Sequence, residues 1–156
     1  MAALDRFDRK LLAIVQRDAS LTSDVLADRV GLSPSAVQRR LKRLREDGVI
    51  TALVATVDPD KLGRPALFVV GLEIERERPE LLSRLRAWLA DEDAVQEVFY
   101  VTGAWDFVLI VTARDVEAYD ALMSRLMADN PNVRRFTTNV ALGTYKRRLF
   151  VPIGEE

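Results

Sequence analysis

Ser35, Gln38, Arg39, Lys42 and Arg43 recur at helical intervals, so one side of a single helix can present most of them together. Ser35, Arg39 and Lys42 form the centre of that side, and Gln38 and Arg43 form its flanks. The chemistry on offer is recognition of a nucleic-acid duplex. A glutamine amide can pair with two atoms of adenine, and an arginine fork with two of guanine, which suits Gln38 and Arg39. Lys42 and Arg43 can hold phosphates, positioning the helix without reading sequence. Arg40 and Arg45 fall nearer the apolar edge and read as structural. Val37, Leu41 and Leu44 occupy the opposite stripe and should pack inward. An ordinary amphipathic helix with a solvated basic face would share this pattern. The preceding turn, Gly31-Leu32-Ser33-Pro34, favours the sharper reading. Gly31 can end a helix in the left-handed region, Ser33 can cap the next, and Pro34 suits its first turn. With Leu21, Val25, Leu26 and Val30 ahead of it, the segment predicts a helix-turn-helix.

A second constellation is Thr102-Gly103-Ala104-Trp105-Asp106. Gly103 allows close approach to the backbone, exposed turn N–H groups can receive a carboxylate, and Asp106 can accept from an ammonium. These residues suit a bound α-amino acid. Glycine and aspartate are also ordinary hairpin residues, so the residues alone leave both readings open. Other charged groups read as surface: Lys146-Arg147-Arg148, and the pairs Glu75/Glu77 and Glu92/Asp93. Trp88, among Leu81, Leu82, Leu85 and Leu89, reads as core.

Composition narrows the remaining chemistry. The chain of 156 residues has no histidine and no cysteine. Serine–histidine triads, histidine proton transfer, thiolate metal sites and disulfides therefore cannot be built from it. Carboxylate or lysine catalysis stays open, but an enzyme becomes the less favoured class, and no metal or cofactor is expected. No apolar run approaches the roughly 20 residues that cross a bilayer, and the opening MAALDRFDRK lacks a secretory core. No membrane partner and a cytoplasmic location are expected. Net charge is −1, unevenly spread. Residues 1–58 hold ten basic and eight acidic side chains, and residues 59–156 hold thirteen and sixteen. Within 33–47 the count is five against two, a local field that attracts phosphate despite the acidic whole.

The elements that must position these groups follow from periodicity. Leu4–Asp18 predicts a first helix, and Asp47-Gly48 closes the third. The core of this bundle should be Leu12, Val15, Leu26, Val30, Leu32, Val37, Leu41, Leu44 and Ile50. Val49–Val57 is β-branched and apolar and predicts a strand leaving the bundle. Turn formers from Asp58-Pro59 to Gly63-Arg64-Pro65 mark a boundary. Beyond it the pattern reads strand 66–75, helix 79–92, strand 95–101, strand 105–113, helix 116–129 and strand 133–144, the split βαβ arrangement of a ferredoxin-like fold. The fold class is α+β, divided into a helix-turn-helix domain (1–50), a strand linker (51–64) and a ferredoxin-like domain (65–156). Phe107–Val111 is apolar without a break and should be buried on both faces. A second copy of the chain is the simplest cover for the sheet face without helices, which predicts a homodimer.

In this order the local motifs resemble the Lrp/AsnC (feast/famine) family of regulators. The likeness rests on Leu4-Asp5, Asp8 and Leu11-Leu12; Leu26-Ala27 and Gly31-Leu32-Ser33; Val37, Arg40-Leu41 and Leu44; Gly48-Val49-Ile50; Val101-Thr102-Gly103 with Asp106; and Thr138 leading to Lys146. It implies a winged or helix-turn-helix DNA-binding domain joined to a ferredoxin-like domain of the RAM type. It further implies a transcription regulator acting on double-stranded DNA, dimers assembling to tetramers or octamers, and an effector, usually an amino acid. By the same resemblance Thr102, Gly103, Ala104, Trp105 and Asp106 mark the effector site. Thr137, Thr138 and Asn139, from a neighbouring subunit's equivalent stretch, would supply polar groups to it. Trp105 stands where relatives often carry a smaller or hydroxylated residue. Effector binding would shift assembly and so the reach to operator half-sites. Two other readings remain: a tetrapyrrole-modifying enzyme of related layout, whose expected histidines are missing here, and a metabolite-binding interaction module.

Overall fold

The computed structural model describes residues 4–63 and 65–154, so Arg64 of the expected boundary lies outside the described residues. The chain forms two compact units. One comprises residues up to Thr56 together with Lys146 onward, and the other spans Val57–Tyr145.

The first unit holds α1 (Arg6–Val15), α2 (Ser23–Val30) and α3 (Pro34–Glu46). Gly31 and Ser33 act as the caps that sequence marks, whereas α1, expected from Leu4 to Asp18, is shorter and starts at a cap that sequence reading placed inside the helix. Asp5 and Asp8 form a capping box on α1, each carboxylate taking the other's backbone N–H. Gly31 ends α2 at φ 76°, a left-handed conformation that glycine adopts without penalty. The Ser33 hydroxyl accepts from the Ala36 N–H at 3.3 Å, and Pro34 begins α3. Leu11, Leu12, Leu26, Ala27, Val30, Val37, Leu41 and Leu44 are buried between the helices. Val15, Leu32 and Ile50 are half-buried against that cluster, and Leu11, absent from the expected core, is fully enclosed.

Two expectations need correction here. Residues 51–58 form no strand, and Leu53, Val54 and Val57 stand exposed. β-branched composition supplies propensity, but a ladder requires a neighbouring strand, and none of the described residues pairs with this segment. Residues 146–154, expected with the ferredoxin-like domain, pack instead on α1. The Gln16 side-chain amide donates to the Val151 carbonyl at 3.1 Å and accepts from the Val151 N–H at 2.8 Å. The Arg17 guanidinium lies 4.7 Å from the centre of the Phe150 ring, and Ile153 joins the helical core.

The second unit begins with a short 3-10 turn at Pro59–Leu62. It continues through β1 (Ala66–Ile74), α4 (Pro79–Asp91), β2 (Val95–Tyr100), β3 (Phe107–Ala113), α5 (Val116–Asp129) and β4 (Val133–Val140). The sheet runs β2-β3-β1-β4 with every neighbour antiparallel, as a ferredoxin-like order demands. Phe68, Val70, Leu72, Phe107, Leu109 and Val111 face Leu85 and Leu89 of α4 and Leu122, Met123 and Leu126 of α5. Trp88 packs against this core and donates its indole N–H to Asp129 at 2.9 Å. The opposite face carries Leu67, Val69 and Gly71 of β1 and Val108 and Ile110 of β3. Val108 and Ile110 are half-buried, so Phe107–Val111 is enclosed on one face only within a single chain.

Candidate functional site

α3 holds its apolar side against α1 and α2, which leaves Ser35, Gln38, Arg39 and Lys42 exposed. The Ser35 hydroxyl is 3.1 Å from that of Ser33. Lys42 lies 3.7 Å from Glu46 one turn on, an exposed pair worth little energetically. Arg39 has no ion pair among the described residues. Arg45 is exposed rather than set at the apolar edge, because it lies three residues beyond Lys42 on the same stripe.

Arg43, expected as a plain phosphate contact, is already engaged. Its Nη2 lies 2.5 Å from the Asp8 carboxylate, whose side chain is 1% exposed. Arg40 donates from Nη1 to Asp5 at 2.7 Å and to Asp8 at 2.9 Å. These bonds, Asp5's first and then Asp8's, raise the Arg40 pKa further. The Asp8 backbone N–H above all, with help from Arg40, holds the Asp5 carboxyl below the usual range. Sequence reading missed this cluster. Its signal is two aspartates three apart on α1 and two arginines three apart on α3, a complementary spacing visible only once the helices are known to touch.

The second site is the turn between β2 and β3. The Val101 N–H donates to the Asp106 carbonyl at 2.9 Å and closes it. Thr102, Gly103 and Ala104 project as an exposed tip, with Gly103 at φ 135°. Asp106 is tied to β1 twice. Its N–H donates to the Leu72 carbonyl at 2.9 Å, and its carboxylate accepts from the Ile74 N–H at 2.8 Å. One oxygen of the expected ammonium partner therefore extends the ladder. Trp105 lies over Gly71: a Cβ built at residue 71 would sit 2.3–2.5 Å from three indole carbons.

Thr137 and Asn139 pair with Gly71 and Val69 and share the Trp105 face of the sheet. Thr138 does not join them. Side chains alternate along a strand, and its hydroxyl meets that of Tyr119 on α5 at 2.5 Å, on the helix side. Tyr119 stacks on Phe68 with ring centres 3.9 Å apart, and burial pushes its hydroxyl pKa up. Among the described residues no group of acidic side chains is arranged to hold a metal ion. No described helix is long and apolar enough to cross a membrane.

Residues 67–149 match the family model of the Lrp/AsnC ligand binding domain, and residues 4–51 match a winged helix-turn-helix DNA-binding model. The chain belongs to the Lrp/AsnC family. Among its relatives is the HTH-type transcriptional regulator y4tD of Sinorhizobium fredii, 45% identical over 150 residues, covering 96% of this chain and 89% of that one. An AsnC family transcriptional regulator from Agrobacterium tumefaciens is 33% identical with a TM-score of 0.86, covering 95% and 96% of the two chains. A Neisseria meningitidis transcriptional regulator, solved as its L-Met complex, is 25% identical with a TM-score of 0.86 over 96% and 97%. The helix-turn-helix and the ferredoxin-like order expected from sequence are both those of this Lrp/AsnC chain, which is a DNA-binding transcriptional regulator.

Proposed function

We propose that this Lrp/AsnC regulator reads a specific operator with α3 and answers to an amino acid held at the sheet face beside Trp105. The observation that carries the first part is the division of α3: Val37, Leu41 and Leu44 are buried, while Ser35, Gln38, Arg39 and Lys42 face solvent. A helix so divided can enter the major groove with its hydrogen-bonding groups leading. Gln38 and Arg39 contact base edges, and Lys42 contacts phosphate. Arg39→Ala is expected to weaken specific binding by about 1–3 kcal/mol and relax one base position. Fluorescence anisotropy on the operator and on scrambled duplex checks this; equal affinity for both, unchanged from wild type, would refute the assignment.

The effector reading is supported by the open turn tip Thr102–Ala104, by the polar groups of Thr137 and Asn139 on the Trp105 face, and by the L-Met complex of the Neisseria relative. The tip's N–H groups receive the carboxylate, and the free oxygen of Asp106 takes the ammonium. A thermal-shift screen of the twenty amino acids tests the ligand class. Thr137→Val is expected to diminish the ligand-induced shift, and Thr138→Val to leave it intact, since its hydroxyl serves Tyr119 on the other side. The reverse ranking would move the pocket to the helix side. Apolar Val108 and Ile110 on the same face support homodimers, which assemble further to tetramers or octamers, a mass that light scattering reads directly.

A further inference from the structure

On α3, Arg39, Arg40 and Arg43 line a recess of about 280 Å³. Arg40 and Arg43 are drawn toward one buried carboxylate, Asp8, and Arg40 also toward Asp5. Neither guanidinium is exhausted by these bonds. Arg40 commits Nη1 and Arg43 commits Nη2, while the Arg43 Nε is buried without an acceptor. The Arg43 side chain is still 42% exposed. A guanidinium carries five N–H donors, so each retains several. Three arginines against two aspartates leave the cluster one positive charge in excess, the complement of a single phosphodiester.

We propose that this recess seats one backbone phosphate of duplex DNA, gripped by Arg43, and that Asp8 is the positioning residue that holds it open. The proposal rests on the reading of α3 as the DNA-contacting helix and adds a fixed phosphate contact to it. Without Asp8, Arg40 and Arg43, three residues apart, would splay from mutual repulsion. With it, the two are locked at a common anchor before DNA arrives, so less side-chain freedom is lost on binding. The same lock fixes α3 against the start of α1, and hence the angle at which Gln38 and Arg39 are offered.

The test is the salt dependence of affinity for a short random-sequence duplex, with the full chain. Arg43→Gln is expected to lower the slope of log K against log salt by about 0.9, the value of one phosphate contact, and to weaken specific and random DNA alike. An unchanged slope overturns the seat. Asp8→Asn makes the protein one charge more positive, so simple electrostatics would tighten binding; the positioning role requires at least a fivefold weakening. Equal or tighter binding by a folded Asp8→Asn protein overturns that role. Should this variant fail to fold, Arg40→Gln replaces it, with the same fivefold weakening expected and unchanged affinity counting against the lock. Inorganic phosphate at matched ionic strength is expected to compete no better than chloride, whereas selective competition would make a free anion the occupant and overturn the duplex. If wild type binds no duplex at low salt, the reading of α3 itself fails. If wild type binds and Arg43→Gln keeps the full slope, only the seat fails.

Discussion

Gly71→Ala is expected to lower the melting temperature by roughly 5–20 °C. The new Cβ would lie 2.3–2.5 Å from Cγ, Cδ2 and Cε2 of Trp105, well inside contact distance. Those atoms belong to the ring and its root, so a small rotation cannot clear them and the indole must leave the strand. Overpacking of this kind costs about 1–3 kcal/mol, and in a unit of this size each kcal/mol moves the midpoint by about 4–8 °C. Adding Trp105→Ala should recover much of the loss, because the three atoms nearest a Cβ at 71 all belong to that side chain; a less-than-additive cycle is the signature. Circular dichroism melts of the two single variants and the double variant suffice. A Gly71→Ala protein that melts with wild type would mean the indole does not rest on β1. The same substitution should weaken any ligand-induced thermal shift, since Trp105 shares its face with Thr137 and Asn139.

A larger functional loss is expected from Leu44→Ala. Leu44 is completely enclosed on the inner side of α3, and truncating such a leucine costs about 2–5 kcal/mol once the cavity is counted. Three short helices and a returning tail bury little apolar surface, so the loss is a large share of what holds them together. DNA binding should disappear at physiological temperature although no DNA-facing atom has changed. The exposed neighbour Lys42→Ala, by contrast, should reduce affinity and leave the melt untouched. Paired melts and duplex titrations separate the two cases. A Leu44→Ala protein with native affinity and native melting would contradict the division of α3 into a packed side and a reading side.

What sequence made legible was local. Gly31, Ser33 and Pro34 act on their own few neighbours, and they end α2 and begin α3 where composition places them. The strand and helix order of the sheet unit follows from periodicity of the same short range. Errors arose where a residue's role depends on something distant along the chain. The bond of Arg43 to Asp8 is hidden from a local reading because the two lie 35 residues apart. Val49–Val57 reads as a strand because propensity says nothing about whether a neighbour exists to pair with. Thr137-Thr138-Asn139 is a different case. Strict alternation forbids three consecutive strand residues from serving one pocket, a rule that applies to sequence alone. The contact of Trp105 with Gly71 could not have been read, because it joins two strands whose register only the sheet defines.

Gln16 on α1 is satisfied by Val151, 135 residues later. At about 5–20 residues per second of translation, α1 waits roughly seven to thirty seconds for the segment that covers it. During synthesis the three helices are thus a draft of the finished fold, with the place of Ile153 still wet and the Gln16 amide still hydrated. A nascent chain in that interval should be the form most open to chaperones and proteases, and completing the tail is the step that closes it.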